Sequence, residues 1–165
     1  MGIWWSLHLR REAASVPLAR RFLLGTMETA GVDPDISFDL SLALSEACAN
    51  AVEHGGDRTA PGEHGPGSGV GGCGHTPPDA GQYRVTAYLN GAVCRIEVSD
   101  SGPGFPARRA LRPAAHLPRV AESGRGLDLI EQLSDHVQFA NGPGRGAVVS
   151  FDKTLKWREG ALLTV

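Results

Sequence analysis

Residues 44–54 read LSEACANAVEH, and this stretch decides the fold that the sequence predicts. Apolar residues recur at helical spacing around it, so we expect a long helix over residues 36–54. Glu46, Asn50 and His54 are four residues apart and therefore share one face of that helix. A carboxylate can deprotonate a hydroxyl, and an amide oxygen is a hard donor suited to Mg²⁺. Taken alone, the motif is also compatible with a solvated polar face.

A second motif lies at residues 97–105, EVSDSGPGF, where a predicted strand ends in Asp-x-Gly-x-Gly. Asp100 can accept a hydrogen bond from an exocyclic amine such as that of adenine. Gly102 and Gly104 would let a ligand approach the backbone closely. The alternative for this motif alone is a turn in which the aspartate caps a loop and the glycines supply positive φ.

A third motif lies at residues 122–130, ESGRGLDLI, where Gly124, Arg125 and Gly126 open a short helix predicted over 126–134. The amino end of a helix presents free N–H groups and a partial positive charge, which suits phosphates. A plain junction between loop and helix is the alternative. The sequence has no Gly-x-x-x-x-Gly-Lys-Ser/Thr loop, and no Gly-x-Gly-x-x-Gly pattern stands at a strand-to-helix turn. The three motifs together therefore predict a nucleotide site of another type.

The remaining periodicity predicts an α+β fold, a two-layer sandwich in which a mixed β-sheet has helices on one face. Strands are expected at residues 3–9, 83–89, 92–99, 136–140 and 146–153, and a first helix at residues 15–29 that stops at Gly31. Asn90-Gly91 predicts a hairpin turn with both residues at positive φ. The side chains expected to face inward are Val16, Ala19, Phe22, Leu23 and Met27 in the first helix, and Phe38, Leu42, Ala49 and Val52 in the second.

Composition limits the class of protein. The 165 residues predict a single domain over 1–165. The 16 basic and 18 acidic residues argue against direct nucleic-acid binding, which needs a basic surface. The sequence contains neither a membrane-spanning apolar run nor a signal peptide, and its three scattered cysteines fit a reducing compartment, so we expect a cytoplasmic protein. Residues 55–81 are rich in glycine and proline and predict a flexible loop.

The three motifs resemble those of the Bergerat-fold (GHKL) ATPase superfamily. Residues 46–54 are similar to its N box, residues 100–105 to its first glycine box and residues 124–127 to its second. Within the superfamily the sequence most resembles the anti-sigma-factor serine/threonine kinases, which have a histidine-kinase-like ATPase domain. Their pattern Glu-x-x-x-Asn-Ala-x-x-His-Gly matches residues 46–55.

The resemblance implies a role for each residue at the reacting end of the site. Glu46 would be the catalytic base that activates a serine hydroxyl on a partner protein. Asn50 would hold Mg²⁺ at the phosphates of ATP. Gly124, Gly126 and the amide of Leu127 would meet the phosphates, and Arg125 would either add positive charge or be solvated.

At the adenine end, the resemblance implies that Asp100 holds the adenine amine and that Gly102 and Gly104 shape the pocket. Residues from about 105 to 123 would form the ATP lid, and His54 would pack at the helix end. The family often carries a threonine in the last strand, which reaches adenine through water. Ala147 stands at that position, which would weaken ATP binding by about 1 kcal/mol.

The function implied by the resemblance is that of a Mg-ATP-binding regulator of the anti-sigma type. Such a protein would phosphorylate Ser/Thr of an anti-anti-sigma (STAS-type) partner and sequester a sigma factor, as a homodimer without membrane or nucleic-acid contact. Two alternatives stay open. One is an ATP-binding interaction module without kinase turnover, and the other is a detached histidine-kinase-type catalytic domain.

Overall fold

The computed structural model describes residues 2–55, 81–102, 123–142 and 146–161. Its elements in chain order are β1 (Ile3–Arg10), α1 (Ser15–Ala30), α2 (Pro34–His54), β2 (Gln82–Leu89), β3 (Val93–Asp100), α3 (Ser123–Leu133), β4 (His136–Asn141) and β5 (Ala147–Thr154). All eight elements expected from the sequence are present. Residues 56–80 of the expected loop and residues 105–122 of the expected lid lie outside the described residues.

The five strands form one open sheet in the order β1-β2-β3-β5-β4. The α+β class is confirmed, but the expectation of a mixed sheet is wrong, because every pairing in it is antiparallel. β3 and β4 do run in the same direction, since α3 crosses over between them. β5 then turns back from β4 and inserts between the two, so that no parallel strands become neighbours.

The three helices form one layer, and α2 lies at its centre. α2 packs between α1 and α3 and contacts β3 and β5, while α1 contacts β1 and α3 contacts β4. Alternate residues of the strands face these helices, so Val85, Ala87, Ile96, Val98 and Phe151 are buried together. The predicted two-layer arrangement, with helices on one face, is therefore what the structure shows.

The caps of the first two helices follow from their sequences. Gly31 ends α1 with φ of 90°, as its position predicts for a left-handed cap. Asp33 caps α2, because its Oδ1 accepts a hydrogen bond from the backbone N–H of Asp35 at 2.8 Å, and Pro34 occupies the first helical turn. These caps fix where the two helices end and begin.

The hairpin between β2 and β3 is confirmed, but its turn differs from the expected one. Gly31 and Gly160 are the glycines of the described residues that have positive φ, so Gly91 does not adopt the conformation expected of it. Instead, Oδ1 of Asn90 accepts hydrogen bonds from the backbone N–H groups of Ala92 and Val93, both at 2.8 Å. The asparagine side chain therefore adds to the backbone bond of the turn, in which the N–H of Asn90 donates to Val93 O at 3.1 Å.

The inward faces of the two long helices are partly mispredicted. Phe22 of α1 is 46% exposed and makes an edge contact with Trp5, at 4.8 Å between ring centroids. Phe38 of α2 is 53% exposed. The buried face of α2 is instead made of small and aliphatic residues: Ile36, Ser37, Leu40, Ser41, Ala43, Leu44, Ala47, Cys48 and Ala51.

The error in α2 has a physical cause. Ser37 and Ser41 lie on the buried face, and each donates its hydroxyl hydrogen to a backbone carbonyl one turn earlier, that of Asp33 or Phe38. Burying a hydroxyl group that already has a hydrogen-bond partner costs little free energy. Small residues on this face let α2 approach the sheet closely, and the larger Phe38 points away from it.

Gly25 offers a test of this helical layer. It lies exposed within α1, and a side chain there would meet nothing within 4 Å. Gly25→Ala is expected to raise the free energy of unfolding by about 0.5–1 kcal/mol, because alanine loses less backbone entropy in a helix. Urea denaturation measures it. Gly31→Ala is the control and is expected to lower the free energy of unfolding. The φ of Gly31 is left-handed, and a Cβ there would lie 2.6 Å from Cβ of Ala161. A destabilised Gly25→Ala variant would refute the placement.

Within the described part of the chain, no helix combines the length and the hydropathy needed to cross a bilayer.

Candidate functional site

Asp100 is the last residue of β3, and two backbone groups hold its carboxylate. Its Oδ1 accepts hydrogen bonds from the backbone N–H of Gly102 at 2.9 Å and from that of Ala147 at 3.1 Å. Bonds to an ionised acceptor are among the stronger protein hydrogen bonds. The carboxylate is therefore fixed between the end of β3 and the start of β5.

Three glycines pack against this strand end. A side chain on Gly102 would place its Cβ 2.7 Å from the carbonyl carbon of Gly55, and one on Gly55 would place its Cβ 2.9 Å from Cβ of Asp100. A Cβ on Gly146 would overlap the carbonyl oxygen of Asp100. The end of α2, the end of β3 and the start of β5 thus meet around one aspartate.

Glu46 lies at the other end of the same stretch of α2, against α3. A side chain on Gly126 would place its Cβ 2.7 Å from Oε2 of Glu46. Gly124 and Arg125 belong to the same first turn of α3, and Leu127 is buried in the core. Because the amino end of a helix carries free N–H groups and partial positive charge, it stabilises the neighbouring carboxylate.

Asn50 is half-buried on α2 between these two ends. Nine residues separate Glu46 from Gly55, which at 1.5 Å per residue corresponds to about 13 Å along the helix. The structure therefore places Glu46 with Gly126 at one end and Asp100 with Gly102 at the other. Gly104 lies outside the described residues.

His54 does not pack at the helix end as expected. Its side chain is 42% exposed, and its Nε2 lies 3.4 Å from a carboxylate oxygen of the neighbouring Glu53. The carbonyl groups at this helix end are met instead by Arg11, whose Nε donates to Ala51 O at 3.2 Å and whose Nη2 donates to Val52 O at 2.8 Å. Arg11, and not His54, is therefore the side chain that stabilises this helix end.

Three residues of the site escaped the sequence analysis as site residues. Gly55 ended the family pattern at residues 46–55, and Gly146 began the strand expected at 146–153, but their close approach to Asp100 depends on how α2 and β5 pack. Arg11 had no signal at all, because the carbonyls that it binds lie about 40 residues away in sequence. The His-Gly ending of the first motif was the one available hint at Gly55.

A buried polar cluster supports α2 from behind. The hydroxyl groups of Ser15 and Tyr83 are 2.6 Å apart, and Ser15 also donates to Glu12 O. Burial raises the pKa of the neighbouring Cys48 thiol to about 12, although a hydrogen bond with Tyr83 lowers it. Burial likewise raises the pKa of Tyr83. Cys48 therefore stays protonated at neutral pH and is a packing residue, not a nucleophile.

Taken together, the antiparallel α+β fold and the meeting of the three motifs define an ATPase domain of the GHKL type. The histidine kinase-like ATPase domain family matches residues 9–153. The chain belongs to this family.

Curated relatives add a subgroup. The chain is 27% identical over 142 residues to the serine-protein kinase RsbW of Bacillus thuringiensis (strain Al Hakam), a match that covers 81% of this chain and 74% of the relative. The RsbW of Bacillus cereus (strain AH187) is 26% identical over the same length. The chain is thus homologous to the RsbW serine-protein kinases, and this supports an ATP-binding function of the kinase type.

A solved structure agrees on the fold. The crystal structure of the RsbU and RsbW domains of Rv1364c from Mycobacterium tuberculosis superposes with a TM-score of 0.58 at 20% identity. The match covers 92% of this chain, which spans about a third of that longer chain, 32%. At this identity the likeness concerns the fold alone.

Ala147 tests whether the start of β5 borders a ligand. Its backbone N–H donates a hydrogen bond to Oδ1 of Asp100 at 3.1 Å, so this residue is a direct neighbour of the carboxylate. Ala147→Thr is expected to strengthen ATP binding about five-fold, which is what one added hydrogen bond of about 1 kcal/mol gives. Isothermal titration calorimetry measures it. Ala147→Val, with the same shape and no hydroxyl, is the control, and an equal gain in both variants would contradict the assignment.

Proposed function

We propose that this protein is a Mg-ATP-dependent protein serine/threonine kinase of the anti-sigma type. One observation carries the proposal: a single helix places Glu46 at the amino end of α3 and, about 13 Å further on, abuts Asp100. A site of this shape offers a hydrogen-bond acceptor for the amine of a purine at one end. At the other end it offers backbone N–H groups with partial positive charge for phosphates. Membership of the ATPase family supports the choice of ligand.

At the adenine end, Asp100 is the proposed reader. Its Oδ1 is held by two backbone N–H groups, so Oδ2 is the oxygen that we assign to the exocyclic amine. Gly102 and Gly104 would border the base, because neither carries a side chain that blocks the approach of a ring.

At the phosphate end, the first turn of α3 is the proposed cradle. The phosphates would meet the amino end of this helix at Gly124, Gly126 and the amide of Leu127, and Arg125 would add positive charge. The amide oxygen of Asn50 is a hard donor and fits Mg²⁺, which would neutralise part of the phosphate charge. We place the lid in residues 105–123.

Glu46 is the proposed catalytic base. Its carboxylate would accept the proton of a serine or threonine hydroxyl on the partner protein. The hydroxyl oxygen would then form a bond to the γ-phosphorus of ATP while the bond to the β-phosphate oxygen breaks, which releases ADP. The carboxylate lies at the amino end of α3, where the phosphates are proposed to bind, so it would be close to the incoming hydroxyl.

The partners that we propose are a STAS-type anti-anti-sigma protein as phosphoacceptor and a sigma factor that is sequestered. The kinase would work as a homodimer in the cytoplasm, without contact to nucleic acid or membrane. The RsbW relatives named above are serine-protein kinases, which supports a serine or threonine as the acceptor.

A recovery experiment tests this function. The tagged full chain is used to recover binding partners from its native cell with and without Mg-ATP, and ATP labelled on the γ-phosphate is then added. We expect a sigma factor and a small single-domain antagonist, with an acid-stable label on the antagonist. An acid-labile phosphohistidine would instead indicate a histidine-kinase-type domain. ATP binding without any label would indicate an interaction module.

Magnesium removal tests the role of Asn50. Asn50→Ala is expected to weaken Mg-ATP binding about ten-fold, the loss of roughly 1.4 kcal/mol, because the amide oxygen is the proposed ligand. With EDTA present, the variant and the wild type should bind ATP equally. Calorimetry under both conditions measures it, with Gln138→Ala on the exposed face of β4 as control. A defect of equal size in EDTA would show that Asn50 acts without the metal.

A further inference from the structure

The last turn of α2 touches the end of β3 at Gly55. Gly55 is buried, and its φ of −77° and ψ of 6° are accessible to any residue. Conformational freedom is therefore not what requires a glycine here. The requirement is steric, because a Cβ at this residue would lie 2.9 Å from Cβ and 3.1 Å from Cγ of Asp100 and would overlap Ala51 O.

The contact is closed from two further sides. The backbone of Gly55 would lie within 2.9 Å of a Cβ on Gly102, so the two glycines pack backbone against backbone. Gly146 excludes a side chain against the backbone of Asp100, where a Cβ would overlap its carbonyl oxygen. Asp100 is thus packed against Gly55 at its side chain and against Gly146 at its backbone, and a methyl group on Gly55 crowds the side chain directly.

Arg11 holds this turn of α2 in place. Its guanidinium donates to the carbonyls of Ala51 and Val52, at 3.2 and 2.8 Å. These carbonyls lie one turn before Gly55, whose own N–H binds Ala51 O at 2.9 Å. The guanidinium therefore fixes the helix end whose last residue presses on Asp100.

From this packing we infer that Gly55, with Arg11 behind it, is a positioning residue that sets the selectivity of the site for a 6-aminopurine. It acts through Asp100 and touches no ligand itself. The direction of the Asp100 carboxylate decides whether it meets an exocyclic amine, so moving it by a few tenths of an ångström costs the amine contact and spares the phosphate contacts. The inference rests on the proposed function, in which Asp100 reads adenine.

The test compares two nucleotides that differ by that amine alone. Binding of ATP and of purine riboside 5′-triphosphate, which lacks the 6-amino group, is measured by calorimetry with the full chain. The wild type should prefer ATP by roughly ten-fold or more, since the amine binds a charged acceptor. Gly55→Ala should reduce that preference at least about five-fold and leave the affinity for purine riboside triphosphate within about two-fold.

Two controls separate positioning from damage to the fold. Gly81→Ala adds a methyl group where nothing lies within 4 Å and should change neither affinity. Arg11→Met adds no atom beside Asp100, and it should reduce the preference for ATP about two- to three-fold. This variant therefore tests the inference even if Gly55→Ala does not fold. Arg95→Met, on a residue whose side chain is 61% exposed, is its matched control.

The outcomes are distinct. Equal losses of both affinities in Gly55→Ala and in Arg11→Met, with the ratio unchanged, would overturn the inference and leave a purely structural role. An unchanged ratio in a folded Gly55→Ala variant would overturn it as well. If the wild type binds neither triphosphate, the proposed function fails first, and the inference fails with it.

Discussion

Replacing Glu46 by glutamine is expected to reduce phosphate transfer to a serine of the partner by a factor of about 10²–10⁴, the usual contribution of a positioned base. Glutamine keeps the shape that meets Gly126, where Oε2 lies 2.7 Å from the position of a Cβ. It loses the ability to accept a proton from the hydroxyl. ATP affinity should change little, because the proposed contacts to adenine and Mg²⁺ are untouched.

A single-turnover assay with γ-labelled ATP measures the transfer rate, and calorimetry measures the binding. Glu53→Gln is the matched control, because this glutamate lies on the same helix with a side chain that is 69% exposed and near His54. Transfer at the full rate in the Glu46→Gln variant would show that another group accepts the proton. Loss of ATP binding would show that Glu46 contributes to the nucleotide pocket instead.

The order and type of the elements could be predicted because they depend on local signals. Alternation specifies the strands, Asp33 and Gly31 mark helix ends, and Gly-x-Gly marks the start of α3. The sheet was mispredicted because strand order is a long-range property. Whether β5 inserts between β3 and β4 depends on the hairpin and crossover lengths, not on the residues of any one strand.

The site could be predicted as three separate motifs, but not as a shape. Periodicity placed Glu46 and Asn50 on one face of α2, and the structure brings Glu46 against Gly126 of α3. The apolar residues of α2 lie on two faces, however. Spacing alone predicted that the face with Phe38 is the buried one, whereas Phe38 is exposed. Gly55 and Arg11 were missed because their roles exist only where distant segments meet.

Asp100→Asn is the second change with a large expected effect. The amide oxygen of asparagine can replace Oδ1 and keep the bonds from Gly102 and Ala147. The second position then becomes an NH₂ group, which faces the adenine amine donor against donor. Losing a hydrogen bond to a charged group costs about 1.5–3 kcal/mol, so ATP should bind roughly 10- to 150-fold more weakly.

Inosine triphosphate turns this loss into a positive signal. It carries an oxygen at position 6, which the wild-type carboxylate repels and the new NH₂ group can bind. Asp100→Asn should therefore shift the preference from ATP toward inosine triphosphate, while the melting temperature stays close to that of the wild type. Glu97→Gln, on the opposite face of the same strand, should leave both affinities unchanged. An equal loss of affinity for both nucleotides would mean that Asp100 supports the pocket without contacting the base. Only a direct contact with position 6 can weaken the binding of ATP and strengthen that of inosine triphosphate in the same variant.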